Sequence, residues 1–142
     1  LFKVYDSTNR VILYEFYSSD YLVYTGMYDS LNLKKGEWVY YDDKNNIAKK
    51  GSFFSNKKDK EWTFFYKNGQ IQQQGSYNKG KPVGEWNWWY ENKQLWRNEF
   101  YDNGNINGLA TEYDSLGNLI TKGEYLYGLK EGMWFYEIND SK

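Results

Sequence analysis

Glu99 and Glu112 are two carboxylates 13 residues apart, and a carboxylate pair is the working part of a glycoside hydrolase. That reaction needs a set separation across a cleft and one raised pKa; spacing along an open sheet supplies neither. Glu37, Glu61 and Glu85 recur every 24 residues. On strands two apart they stand roughly 10 Å from one another, too far to share a metal ion, and Lys34, Lys35, Lys57, Lys58 and Lys81 offset their charge. Asp42, Asp43 and Asn45, and Asp102, Asn103 and Asn105, have the residue types of a calcium loop, but neither run reaches the closing glutamate. Neither metal nor cofactor is expected. With no Cys and no His, thiol chemistry, disulfides, the commonest metal ligand and the commonest general base are all missing. The remaining chemistry is aromatic. Trp86, Trp88, Trp89, Trp96 and Trp134 are rings of the kind that stack on sugars or anchor protein interfaces.

Composition states which elements must position these rings. The 142 residues include 7 Trp, 16 Tyr and 8 Phe, while the mean hydropathy of -0.94 is polar, so the chain buries rings rather than aliphatic side chains. One proline and 13 glycines among many aromatic residues favour strands and tight turns over helices. A balance of 18 basic and 19 acidic residues leaves no electrostatic footprint for a polyanion, so nucleic acid is not an expected partner. No apolar run reaches the length of a membrane span, so an integral membrane protein is not expected either. No signal peptide is visible, and the chain starts at Leu1 rather than Met, which tilts the expected compartment toward export or the cell envelope over the cytoplasm.

The chain is periodic. Trp38, Trp62, Trp86, Ala110 and Trp134 are each 24 residues apart, and columns of aliphatic residues, glycines and aromatics keep the same period. The strand-glycine column is Gly51, Gly75, Glu99 and Gly123, with Gly26 preceding the first full unit. Two residues on come Tyr28, Phe53, Tyr77, Tyr101 and Tyr125. Two turn columns, one through Asn68-Gly69 and one through Lys79-Gly80, read as two-residue type I′ hairpin turns, although Pro82 disturbs the pattern at the second. This register sets Tyr66 opposite Ile71 and Trp62 opposite Gly75, where a ring can lie over the bare backbone of a glycine. Trp88 then faces one side and Trp89 and Trp96 the other. The expected fold is all-β: an open, twisted single-layer antiparallel sheet of consecutive β-hairpins. The units span residues 26–50, 51–74, 75–98, 99–122 and 123–142, after a degenerate capping repeat at 1–25 in which Leu13, Phe16 and Leu22 approximate the columns.

The run Gly75-x-Tyr77-x-x-Gly80-x-x-x-Gly84-x-Trp86-x-x-Trp89, with Gly36-Glu37-Trp38, Lys60-Glu61-Trp62 and Gly84-Glu85-Trp86, resembles the MORN repeat, and within it the bacterial variant with a G-E-W segment. The resemblance covers residues 26–138. It implies successive hairpins in an open sheet and an interaction or membrane-proximal scaffold; proteins with this variant are often labelled antitoxins. It carries no catalytic residues, and the chain is not expected to be an enzyme. Three positions depart from the pattern: Lys60 for glycine, Glu99 for the strand glycine and Ala110 for Trp. The hairpin register sets Glu99 opposite position 108 and Ala110 diagonal to it, leaving a depression between Trp86 and Trp134 beside Glu99 and Glu112. The candidate binding residues are Trp86, Trp88, Trp89, Trp96, Glu99, Ala110, Glu112 and Trp134. The expected function is protein–protein interaction, of immunity or antitoxin type; the alternative is a carbohydrate or cell-surface ligand stacked on Trp86, Trp88 and Trp134. Self-association through the exposed sheet edges is a further expectation.

Overall fold

The structure, a computed structural model, describes residues 1–137. It is one twelve-stranded antiparallel sheet in chain order. Its strands are β1 (Phe2–Tyr5), β2 (Val11–Ser18), β3 (Tyr21–Tyr28), β4 (Lys34–Tyr41), β5 (Ile47–Phe54) and β6 (Lys57–Phe65), then β7 (Ile71–Asn78), β8 (Lys81–Trp89), β9 (Leu95–Asp102), β10 (Asn105–Tyr113), β11 (Leu119–Leu126) and β12 (Leu129–Tyr136). Among the described residues β1 and β12 have one neighbour each, so the sheet is open. Among them, too, no helix is long and apolar enough to cross a membrane.

The two turn columns differ in kind. At Lys79-Gly80, Asn103-Gly104 and Tyr127-Gly128 both central residues have positive φ, the type I′ requirement. The column through Asn68-Gly69 departs from expectation: only Asn45, Gly69, Lys93 and Gly117 are left-handed there. Tyr66 N–H donates to Gln70 O and Gly69 N–H to Tyr66 O, giving a three-residue loop that ends in a left-handed bulge residue. Phe65, not Tyr66, therefore pairs with Ile71, and a bulge restores Phe64 opposite Gln73 and Trp62 opposite Gly75. Asp42 and Asp114 suit this loop because one carboxylate oxygen accepts two backbone N–H groups of the turn. Pro82 pairs with Tyr77 without breaking β8, and its carbonyl accepts Gly104 N–H of the next turn at 3.0 Å.

A second irregularity aims the rings. Gly36, Lys60, Gly84, Gly108 and Gly132 all have φ between 59° and 113°, a conformation that favours glycine. Each lies where the register to the preceding strand slips, so Ser52 pairs with Asp59 while Gly51 pairs with Trp62. The slip turns each indole onto the preceding strand. A Cβ added at Gly26, Gly51, Gly75 or Gly123 would fall against the ring of Trp38, Trp62, Trp86 or Trp134 respectively. Trp62 thus pairs in register with Gly75, as the hairpin rule requires, but covers Gly51 instead.

The rungs form the core of this single layer. Trp38 and Trp62 are fully buried and Trp86 is 2% exposed. Beside each stands the aromatic of the glycine strand, edge to face: Tyr28, Phe53, Tyr77 and Tyr125 lie 4.9–5.1 Å from their indoles. Such pairs add about 0.5–1.5 kcal/mol each beyond area burial. In the amino-terminal unit Tyr14, not Leu13, holds the rung opposite Gly26 and packs edge-on to Tyr28. Side chains alternate along a strand, so Leu13 faces away from the rung.

Candidate binding site

Three of the rungs satisfy their indole N–H groups internally, and among the described residues that of Trp134 has no partner. The indole N–H of Trp38, Trp62 and Trp86 donates to the carbonyl of Met27, Ser52 and Ser76 at 2.9–3.2 Å. Over three rungs a lysine ammonium lies on the ring: Lys34 over Trp38 at 4.4 Å, Lys58 over Trp62 at 4.7 Å and Lys130 over Trp134 at 4.3 Å. Burial holds the Lys58 ammonium below its ordinary pKa. A rung of this kind presents little to a ligand.

The unit from 99 to 122 is built differently. Glu99 and Ala110 pair directly across β9 and β10, a correction to the diagonal placement, because the slip at Gly108 carries Ala110 past the position a plain hairpin would give it. The two departures are one coupled change. Everywhere else in the ladder a Cβ on the glycine strand collides with the Trp, so a Glu at 99 requires a small residue at 110. The carboxylate of Glu99, whose side chain is 12% exposed, accepts the Tyr101 O–H at 2.7 Å and lies 3.5 Å from the Arg97 guanidinium. Burial, and then the hydrogen bond to Glu99, push the Tyr101 phenol well above its ordinary pKa.

Trp96 also sits where the plain alternation did not place it. Trp88 pairs with Arg97 and Trp89 with Leu95, leaving Trp96 as the extra residue of a bulge. A bulge can re-aim a side chain; here Trp96 comes to the same side as Arg97. Its N–H donates to Glu112 at 3.0 Å, and the Arg97 guanidinium lies 4.9 Å from its ring and 5.8 Å from that of Trp88. The result is a connected patch of Trp88, Trp96, Arg97, Glu99, Tyr101 and Glu112. It borders a cleft of about 290 Å³ where a fifth indole would lie, walled on the far side by Tyr125, Trp134 and Tyr136.

Of the residues proposed from sequence, Glu99, Ala110, Glu112 and Trp134 meet at this cleft. Trp96 and Trp88 join it through Glu112 and Arg97. Trp86 is core, its ring covering Gly75. Trp89 lies elsewhere, in a shallow groove with Gln70, Ile71 and Lys93, its carbonyl accepting the Tyr66 O–H at 2.7 Å. Arg97, Tyr101 and Lys130 were missed. The first two had a readable signal, since a carboxylate on the ring face calls for partners two residues away on the same strand. Among the described residues no three His, Cys, Asp or Glu side chains group to hold a metal ion.

The family comparison falls on this geometry. A model of the MORN repeat variant matches residues 58–79 and 82–103, two successive units that run from β6 to the turn after β9. The chain carries MORN repeats. The two matches begin at the same place in the unit, at Lys58 and Pro82, four residues before Trp62 and Trp86. The second takes in Glu99 and stops ahead of Ala110, so the interrupted rung lies at the border of the matched MORN units. No curated protein matches the chain.

Proposed function

We propose that this MORN-repeat protein is a non-enzymatic module that recognises another protein through the patch around Arg97, and that its own role is of the immunity or antitoxin type that the repeat variant suggests. The observation that carries this reading is the contrast between units. Trp38, Trp62 and Trp86 are buried with their indole N–H groups satisfied internally, whereas around the interrupted rung Trp96, Arg97, Glu99, Tyr101 and Glu112 are half-buried and joined by hydrogen bonds, an ion pair and a cation–ring contact, with Trp88 against Arg97. Trp, Tyr and Arg dominate interface hot spots, and a network already ordered loses less entropy on binding. The burial of Trp86 gives no support to a sugar-stacking platform that uses it.

The test is capture of partners from cells of the source organism on immobilised protein, followed by calorimetry with the purified partner. Arg97→Ala should weaken that complex by about thirtyfold, the effect of one hot-spot residue of about 2 kcal/mol. A partner that binds Arg97→Ala as tightly as the unaltered chain would place recognition elsewhere.

A further inference from the structure

The interrupted unit lacks both halves of a contact made by three other units. Where Lys34, Lys58 and Lys130 rest on Trp38, Trp62 and Trp134, this unit has Ile106 in the lysine column and Ala110 in the Trp column. The floor nevertheless remains electron-rich. The carboxylate of Glu99, paired with Ala110, stands where the indole face would be. Its one cationic neighbour, Arg97, is 3.5 Å away and held against Trp96. Glu112 uses one oxygen for the Trp96 N–H; among the described residues its other oxygen has no partner. The far-wall cation, Lys130, is committed to Trp134 and to the Tyr136 hydroxyl at 2.7 Å.

From this we infer that the cleft is the seat of a basic side chain, arginine or lysine, supplied by the partner protein, its cation resting on Glu99 and within reach of Glu112 beside the ring of Tyr125. The inserted side chain restores in trans the cation that the unit lacks in cis. The cleft of about 290 Å³ is open enough to admit it. A carboxylate facing aromatic rings is a strong setting for a cation once water is displaced, and the planar gap left by an indole suits a guanidinium. The inference rests on the protein-recognition reading above and names what the partner contributes.

The probes are three capped tripeptides, acetyl-Gly-X-Gly-amide with X as arginine, lysine or the uncharged arginine isostere citrulline, titrated against isotopically labelled full chain by NMR. Arginine and lysine peptides should shift the Trp96 indole N–H and the Ala110 amide saturably, with citrulline at least about tenfold weaker. Glu99→Gln should reduce the arginine affinity to that of citrulline. The double variant Glu99→Gly/Ala110→Trp, which fills the gap with a regular rung, should abolish the shift at the Trp96 indole N–H. Equal binding of arginine and citrulline, or no response at the cleft, would overturn the inference. A captured partner that is weakened by Arg97→Ala but indifferent to Glu99→Gln would also overturn it, while leaving protein recognition intact.

Discussion

Restoring the missing rung by substitution tests the coupled Glu99–Ala110 exchange on stability alone. Ala110→Trp by itself sets an indole against the Glu99 Cβ, a contact the ladder avoids by placing glycine under each of its other Trp rings. Overpacking of that kind costs about 1–3 kcal/mol. Glu99→Gly by itself removes the acceptor of the Tyr101 O–H and the partner of Arg97. The charged hydrogen bond is worth about 1.5–3 kcal/mol and glycine in a strand costs about 0.5–1 more. Added together, the singles imply a loss of roughly 3–7 kcal/mol. In the double variant the indole lies over glycine, its N–H facing the carbonyl of Phe100 as those of Trp38, Trp62 and Trp86 face Met27, Ser52 and Ser76. Burying the ring returns about 1.5–3 kcal/mol and its edge pairs with Tyr101 and Tyr125 about 0.5–1.5 each. The double variant should therefore lie within about 1 kcal/mol of the parent, with a coupling of at least about 2 kcal/mol. Urea unfolding of all four proteins, followed by Trp fluorescence and circular dichroism, measures it. Additive losses, with coupling under about 0.5 kcal/mol, would refute the exchange.

Lys60 has φ 59° in a column otherwise held by glycine, so Lys60→Gly should raise stability by about 1 kcal/mol; a lower urea midpoint would show that its side chain matters more than its backbone. Gly51→Ala drives a methyl group into the Trp62 ring and should cost about 3 kcal/mol, with a red shift in Trp emission as that buried ring is displaced. An unshifted spectrum at unchanged stability would contradict the ring-over-glycine packing. Burial first, then the hydrogen bond with Tyr24, push the Tyr28 phenol up to about 12, and burial also raises Tyr77 and Tyr101. The folded chain then keeps protons that the unfolded chain releases from about pH 10 upward. Stability should be flat between about pH 7 and 9 and fall above about pH 10, less steeply in Tyr28→Phe; a midpoint that rises there would reverse the sign.

Much of this architecture was legible because a period of 24 held in several columns at once, and a glycine column beside a Trp column has one simple packing solution. The errors came from residues inserted between those columns. A loop that ends in a left-handed residue and a bulge at Gly36, Lys60, Gly84, Gly108 and Gly132 each displace the register locally. These slips decide which neighbour a ring covers, hence Trp62 over Gly51, and which residue faces Glu99. Trp96 was misplaced for the same reason. Strict alternation cannot foresee a bulge whose extra residue is the aromatic itself. At the site, the departures at 99 and 110 were visible as breaks in pattern, but that they compensate each other required the direct pairing. Arg97 had no column of its own, since Lys49, Gln73 and Thr121 occupy the matching positions.

The central claim is that the break in the ladder is a recognition site and not a worn repeat. Its most direct measurement is the affinity of the captured partner for the unaltered chain and for Glu99→Gly/Ala110→Trp, compared at matched stability. Filling the cleft should weaken the complex by at least about a hundredfold, the loss expected when a central anchor is excluded. A partner that binds the filled chain with unchanged affinity would mean that the gap at Ala110 is repeat decay.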